Sequence, residues 1–241
     1  MKKNILALSL VALAATAEAG TMGPVAYNPH FVPFFSGEAS HNWYQLMNDP
    51  LGVNTTTTNG WGGRAAAGLI NQIRENFGLS LEAGYGYYGK ITSNESGTVS
   101  TSLVTASGSA SAVNQILGAD VLAGLIYSFN QYDLFLKGGF MVESSWVNAT
   151  ASGSASLLGT ALGGYQIART TSTAALPEIK VGGNYNLNEN WGLTVSYMHV
   201  FGANSTGSTG SFSTLTDISG SVNAQPPTMN SILFGAYYKF V

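Results

Sequence analysis

The segment that decides the fold is the C-terminal stretch Met229–Phe240, which reads MNSILFGAYYKF. Alternate positions of this stretch are apolar or aromatic: Ile232, Phe234, Ala236, Tyr238 and Phe240. The intervening positions include Ser231, Gly235 and Lys239. A period of two indicates a β-strand with one apolar and one polar face. We expect lipid outside this strand and a polar interior behind it.

A lone strand cannot sit in a bilayer, because its backbone N–H and C=O groups need partners on both sides. The rest of the chain supplies seven more alternating stretches. With the C-terminal one they lie near residues 33–44, 60–70, 77–90, 115–128, 133–147, 175–187, 191–201 and 230–240. The sequence therefore predicts an all-β fold: an eight-stranded antiparallel up-and-down transmembrane β-barrel.

The connections between these stretches alternate in length. Residues 71–76, 129–132 and 188–190 are short and rich in Asn, whereas residues 45–59, 91–114, 148–174 and 202–229 are long. Outer-membrane barrels have short periplasmic turns and long external loops. We therefore expect both termini in the periplasm and four long extracellular loops.

Charged residues within the stretches share one parity, opposite to the apolar face. A charge facing lipid at mid-depth costs about 2–4 kcal/mol for Arg or Lys, so this parity predicts that the charges point into the lumen. An eight-stranded barrel is just wide enough for its own side chains, so we expect an ion-pair network that fills it. The predicted network comprises Glu38, Arg64, Glu82, Asp120, Lys137, Glu143, Glu178, Lys180 and Lys239.

Aromatic residues mark the expected membrane interfaces. Phe77, Tyr132 and Trp191 follow the short turns and are predicted for the periplasmic girdle. The candidates for the outer girdle are Trp43, Trp61, Tyr88, Trp146 and Phe201.

The N-terminus has the pattern of a secretory signal peptide. Lys2 and Lys3 precede an apolar run, and Ala17-Glu18-Ala19 supplies small residues before a cleavage site. The run is too short to span a bilayer, which disfavours a retained anchor. We predict a signal peptide over residues 1–19, a periplasmic segment over 20–32 and the barrel over 33–241.

The amino-acid composition narrows the class of protein to which the chain can belong. Charged residues make up 9% of the chain, against about 25% in soluble domains, and cysteine is absent. Without residues 1–19, 7 basic and 11 acidic residues remain, a formal charge of −4. Nucleic acid is therefore not an expected partner. The expected partners are outer-membrane lipid and lipopolysaccharide, the barrel assembly machinery and an extracellular ligand of the loops.

One heptad occurs twice. Thr105–Ser111 and Thr150–Ser156 both read TASGSAS and lie in the second and third long loops. Small polar residues of this kind form flexible solvated loops or β extensions above the membrane. The flexible loop is the favoured interpretation, and a pair of flat β arms that present an edge to a partner is the alternative.

Motifs for catalysis or cofactor binding are weak. The glycines of residues 84–89 match a dinucleotide-binding pattern, but they lie in an alternating strand with no helix after them. His30, His41 and His199 lack metal-ligand spacing. His199 lies at the outer rim on the lipid side, and the residue two along is Phe201 rather than the Ser that a lipid A deacylase would require. The sequence therefore predicts no enzyme, cofactor or metal.

Two short units carry a resemblance to a known family. Residues 75–81 (ENFGLSL) and 189–195 (ENWGLTV) are the same turn-to-strand unit. With the strand pattern, they make the chain resemble the small bacterial outer-membrane β-barrel family that includes the OmpA membrane domain and OmpX. Residues 19–24 (AGTMGP) also resemble the mature start of Legionella and Coxiella outer-membrane proteins.

The C-terminal strand itself resembles the insertion signal of bacterial barrels, except that Val241 follows the terminal aromatic residue. The resemblance implies that the assembly machinery reads Ile232, Phe234, Tyr238 and Phe240.

Three function classes remain open from the sequence, and the third of them, a hydrolase at the outer rim, has no supporting constellation of residues. The favoured function is a non-enzymatic surface barrel that contributes to envelope integrity and to host or environment contact through its loops. The alternative is a narrow porin-like channel for small solutes or ions, which requires a continuous water path through the lumen.

Overall fold

A computed structural model describes residues 31–45, 55–57, 59–100, 104–157, 160–202, 208–213, 219–224 and 226–241. The predicted signal peptide and most of the predicted periplasmic segment therefore lie outside the described residues. Within the described part, no helix is long and apolar enough to cross a membrane.

The described residues form eight long strands and three short strands. The long strands are β1 (Phe31–Gln45), β3 (Asn59–Arg74), β4 (Phe77–Ser100), β5 (Val104–Phe129), β6 (Tyr132–Leu157), β7 (Thr160–Asn186), β8 (Trp191–Val200) and β11 (Thr228–Lys239). The short strands are β2 (Thr55–Thr57), β9 (Ser208–Ser213) and β10 (Ser219–Ala224).

The eight long strands form a closed antiparallel ring. Each pairs with its neighbour along the chain, and β11 closes the ring against β1. Closure satisfies the backbone groups of both edges, as a membrane-spanning sheet requires. The predicted eight-stranded up-and-down transmembrane barrel is confirmed.

The register is staggered round the ring. A path of directly opposed residues starts at Phe34 of β1 and returns to Tyr44 of the same strand, ten residues further along. It passes Gly68, Glu82, Leu122, Gly139, Glu178, Val200 and Met229. A stagger of this kind tilts the strands against the barrel axis. Side chains at one height in the lumen therefore come from different rows of the sheet.

Short turns join the strands at one end, here called the turn end. Residues 75–76, 130–131 and 187–190 make these connections, within or beside the predicted segments. In the last of them, Asn188 Oδ1 accepts hydrogen bonds from the backbone N–H groups of Asn190 (3.0 Å) and Trp191 (2.7 Å). Asn therefore builds this turn through its side chain.

At the opposite end, here called the loop end, four strands run much further than predicted. β4 continues to Ser100, β5 begins at Val104, β6 continues to Leu157 and β7 begins at Thr160. The favoured interpretation of the two heptads, Thr105–Ser111 and Thr150–Ser156, as flexible solvated loops is therefore wrong. These segments are β arms, because alternation of Ser, Ala, Thr and Gly still permits a paired ladder although it has no apolar face.

The two copies of the TASGSAS heptad pair with each other. Gly108 lies opposite Gly153, and the register places Ala against Ala and Ser against Ser on both sides of this pair. This is possible because the inner five residues, ASGSA, read the same in both directions. Oγ to Oγ distances of 2.9 Å join Ser107 to Ser154 and Ser109 to Ser152.

The barrel surface is apolar and its interior mixed. Exposed side chains of the band include Phe35, Leu81, Tyr85, Val121, Leu136, Phe140, Val181, Val195 and Phe234. At the turn end, aromatic rings lie side by side, as in the pairs Phe77–Tyr127, Tyr132–Tyr185 and Trp191–Tyr238. At the loop end, Trp43, Trp61, Trp146 and Phe201 are exposed.

Tyr88 is an exception to the predicted outer girdle. Its side chain is fully buried in the lumen, whereas Tyr87 faces outward. A β-bulge between Tyr87 and Gly89 shifts the register here, and Gly89 has φ = 112°, a conformation that favours glycine. The assignment of Tyr88 to the outer girdle is therefore wrong.

Candidate functional site

The barrel interior holds the charged residues singled out from the sequence. Eight of them are buried: Glu38, Arg64, Glu82, Asp120, Lys137, Glu143, Glu178 and Lys180. Six strands contribute to this set, and the alternation of each strand directs its charges inward.

Arg64 is the centre of the network. Its Nη1 lies 3.0 Å from Glu38 Oε2 and 2.7 Å from Glu82 Oε1. Its Nε donates to Asp120 Oδ2 at 2.8 Å, and Nη2 donates to the other oxygen of the same carboxylate. The planar guanidinium thus binds one acid through two parallel bonds and bridges two more.

Two lysines complete the network from the opposite wall. Lys180 Nζ lies 2.8 Å from Glu38 Oε2 and 3.4 Å from Glu82 Oε1. Lys137 Nζ donates to Glu82 Oε2 and lies 4.6 Å from the centroid of the Phe135 ring. Three bases and three acids therefore connect strands from both sides of the lumen and close it with direct ion pairs.

Glycines facing the lumen make room for this network. A Cβ atom at Gly84 would lie 2.7 Å from Arg64 Nε and 2.6 Å from its Cζ. The glycine pattern of residues 84–89 thus belongs to a strand and accommodates the guanidinium and the Tyr88 ring, as at Gly86, where a Cβ would meet that ring at 3.0 Å.

Lys239 stands apart from the central network. It lies near the turn end, where its Nζ contacts Asp133 Oδ2 and Asn186 Oδ1, each at 3.0 Å. Asp133 was not among the residues predicted for the lumen. Asp133 is the first residue of the predicted strand and has the same parity as Phe135 and Lys137. The alternation of the strand therefore indicates that Asp133 faces the lumen.

Glu143 and Glu178 do not take part in the ion pairs. Ser145 Oγ donates to Glu143 Oε1 at 3.4 Å, and neither oxygen of Glu178 has a hydrogen-bond partner among the described residues. Glu143 and Glu178, which were predicted to belong to the ion-pair network, therefore lie outside it among the described residues. The interior holds five acids against three bases around the central network.

An apolar cluster that was not predicted from the sequence closes the lumen between the network and the loop end. It consists of Tyr44, Tyr88, Ile91, Ile116, Met141, Leu176, Met198, Val200, Met229 and Leu233. Large apolar residues on the inward parity were the signal that could have revealed it. On the other side of the network, a cavity lined by Phe34, Phe135 and Tyr237 remains toward the turn end.

The residues of the predicted assembly signal lie on the barrel exterior. Ile232, Phe234 and Phe240 are exposed, and the Tyr238 ring packs between Trp191 (5.0 Å) and Phe240 (4.8 Å). Val241 extends beyond the last strand and is largely exposed.

No metal site occurs among the histidines of the described part of the chain. His30 lies outside the described residues, and no group of three or more metal-ligating side chains occurs in the described part. His199 Nδ1 lies 2.7 Å from Asn230 Oδ1, which also accepts a hydrogen bond from Tyr197 Oη at 2.6 Å. No hydroxyl nucleophile bonds this imidazole within the described residues, so the arrangement lacks a part that acyl transfer requires.

Comparisons with known proteins found likeness only among solved structures. No protein-family model matches the chain, and no curated protein is similar to it in sequence. Ail of Yersinia pestis is 12% identical, covers 87% of this chain and 99% of its own, and gives a TM-score of 0.36.

Two further structures are similar. Neisserial surface protein A is 12% identical, with coverage of 86% and 97% and a TM-score of 0.40. OprG of Pseudomonas aeruginosa is 11% identical, with coverage of 87% and 95% and a TM-score of 0.42. The fold assignment rests on the strand pairing of this chain itself.

Proposed function

We propose that this chain is a non-enzymatic, non-conducting barrel of the bacterial outer membrane. It contributes to envelope integrity and presents the arms of β4 to β7 to the host or environment. The observation that carries the proposal is the doubly closed lumen: the Arg64-centred ion pairs occupy its middle, and the apolar cluster occupies its loop end.

Closure by these two layers opposes a water path. Ions crossing the lumen would have to break pairs such as Lys180–Glu38, at 2.8 Å, and then pass side chains such as Met141 and Leu233, which are fully buried. Hydrophobic constrictions exclude water as well as ions. The network also links opposite walls, so it stiffens the barrel as a structural element.

Single-channel recording of the purified barrel in planar bilayers tests the closed lumen. We expect no steady openings from the wild type. A variant with Met141→Gly and Leu233→Gly, which removes two members of the apolar cluster, should show more current, and Phe234→Gly on the lipid face is the matched control. Steady ion-selective openings of the wild type would favour the narrow channel instead.

Surface presentation is tested by labelling, because the chain has no cysteine of its own. Ser109→Cys places a thiol on the exposed face of the arms, and Gln131→Cys places one in a turn at the opposite end. A membrane-impermeant maleimide should label the first variant in intact cells and the second only after the outer membrane is permeabilised. If only Gln131→Cys were labelled in intact cells, the turn end would face outward and the proposed orientation would be wrong.

A further inference from the structure

A polar patch lies on the lipid-facing exterior, where the surrounding surface is apolar. Its residues are His41 and Trp43 of β1, Tyr197 and His199 of β8, and Asn230 of β11. In the register, Trp43 lies opposite Asn230, which in turn lies opposite His199. The side chains of Trp43, Asn230 and His199 therefore form a continuous row across adjacent strands. This row, together with His41 and Tyr197, is here called the His–Asn patch.

Internal hydrogen bonds orient the patch. Asn230 Oδ1 accepts one hydrogen bond from Tyr197 Oη at 2.6 Å and a second from His199 Nδ1 at 2.7 Å. These two bonds use both lone pairs of the oxygen. This arrangement leaves His199 Nε2 and the Asn230 amide N–H groups without hydrogen bonds to any described residue. The Phe201 ring holds the imidazole edge-on at 4.4 Å.

Aromatic planes flank these polar groups. The His41 ring lies 4.6 Å from Trp43 and 4.8 Å from Trp61, and both indoles are exposed. Below the patch the exterior continues as Ile232, Phe234 and Val195, all exposed. The patch therefore sits at the loop-end border of the apolar band, at the height of lipid headgroups.

At this height, exposed polar side chains face lipid headgroups, whose phosphates and hydroxyls can satisfy their hydrogen bonds. We infer that the His–Asn patch binds the phosphorylated sugar headgroup of an outer-leaflet glycolipid of the lipid A type. The Asn230 amide donates to the phosphate, and His199 Nε2 accepts from a sugar hydroxyl, since Nδ1 carries the proton that is donated to Asn230 Oδ1. The Trp43 and Trp61 rings lie against the sugar.

The position of the His–Asn patch indicates which kind of ligand binds it. It faces the membrane rather than the lumen or the arms, so lipid is its neighbour. A flat sugar face suits exposed indoles, whereas a glycerophospholipid supplies the phosphate but no ring to stack. The inference rests on the proposed orientation, in which the loop end meets the outer leaflet.

Binding to the folded, purified barrel in detergent tests the inference, with lipid A, enzymatically dephosphorylated lipid A and phosphatidylglycerol as probes. We expect the wild type to prefer lipid A over both of the others. Asn230→Leu should weaken lipid A binding by about tenfold, the scale of one lost hydrogen bond to a charged group. Gln115→Leu, an amide-to-Leu change on the exterior of β5, should leave binding unchanged.

His199→Phe provides a second variant, which keeps the ring contact with Phe201 and carries the test if Asn230→Leu does not fold. Equal binding of lipid A by wild type and the patch variants, or equal binding of phosphatidylglycerol by the wild type, would overturn the inference. Detergent binding does not depend on orientation or conductance. A failure of the proposed function would therefore appear in the labelling or the channel recording, and a failure of this inference in lipid binding.

Discussion

At the residue scale, Arg64 decides how the interior is organised. Its guanidinium contacts Glu38, Glu82 and Asp120, and its side chain is fully buried. Burial of a charge is tolerable only when it is paired and its hydrogen bonds are satisfied. Arg64 meets this condition for itself and for three acids, because each of its three nitrogens donates in the plane of the group.

Arg64→Met should therefore lower the stability of the folded barrel by about 3–5 kcal/mol, because it leaves buried carboxylates without their partner. Urea titration in detergent, read by the gel shift between folded and unfolded protein, measures the change. Lys90→Met, at an exposed position, is the matched control. If both variants unfold at the same urea concentration as the wild type, the network does not stabilise the barrel.

At the element scale, the repeated heptads of β5 and β6 set the register of the arms. Identical residues oppose each other from Ala106 to Ala110 because the sequence there is symmetric about its central glycine. A one-residue slip would place Ser against Ala or Gly and would break the Ser107–Ser154 and Ser109–Ser152 contacts. The repeated heptads therefore specify the register of the arms, which have no apolar face that could specify it.

A cysteine pair checks this register directly. Ser109→Cys with Ser152→Cys should oxidise to a disulfide in the folded barrel, because the two hydroxyl oxygens lie 2.9 Å apart on the same face. Mass spectrometry of alkylated protein counts the remaining thiols. Ala110→Cys with Ser152→Cys places the thiols on opposite faces of the sheet and should stay reduced. Equal oxidation of both pairs would contradict the register.

At the scale of the whole molecule, β11 closes the ring between β1 and β8, so the barrel depends on the last segment of the chain. The exterior of this strand ends in packed rings at the turn end, with Tyr238 between Trp191 and Phe240. Phe240 N–H also donates to Pro33 O at 2.9 Å, which ties the end of the strand to β1.

Phe240→Ala should reduce the amount of assembled, heat-modifiable protein in the outer membrane, since it removes an aromatic contact of Tyr238 and the terminal aromatic residue of the predicted assembly signal. Deletion of Val241, which extends beyond the strand, should be neutral or mildly favourable and serves as the control. Comparison of boiled and unboiled outer-membrane fractions on gels measures assembly. Equal assembly of Phe240→Ala and wild type would count against these residues as the recognised signal.

The sequence by itself determined the eight membrane-spanning strands and the inward direction of their charges. A period of two is a local property, so Ile232, Phe234 and Tyr238 could be assigned to one face without knowing their neighbours. A charge on the opposite parity, such as Lys137 or Glu82, could be placed inside for the same reason, because lipid excludes it.

Only the tertiary structure decided which side chains meet. The ten-residue stagger brings Arg64 to Asp120, leaves Glu178 outside the ion pairs and gathers Met141, Met198 and Leu233 into an apolar layer. The bulge at Gly89 turns Tyr88 inward, and pairing of two distant heptads turns predicted loops into arms. The alternation of a strand gives the face on which a residue lies, whereas its partners depend on bulges and on the register between strands.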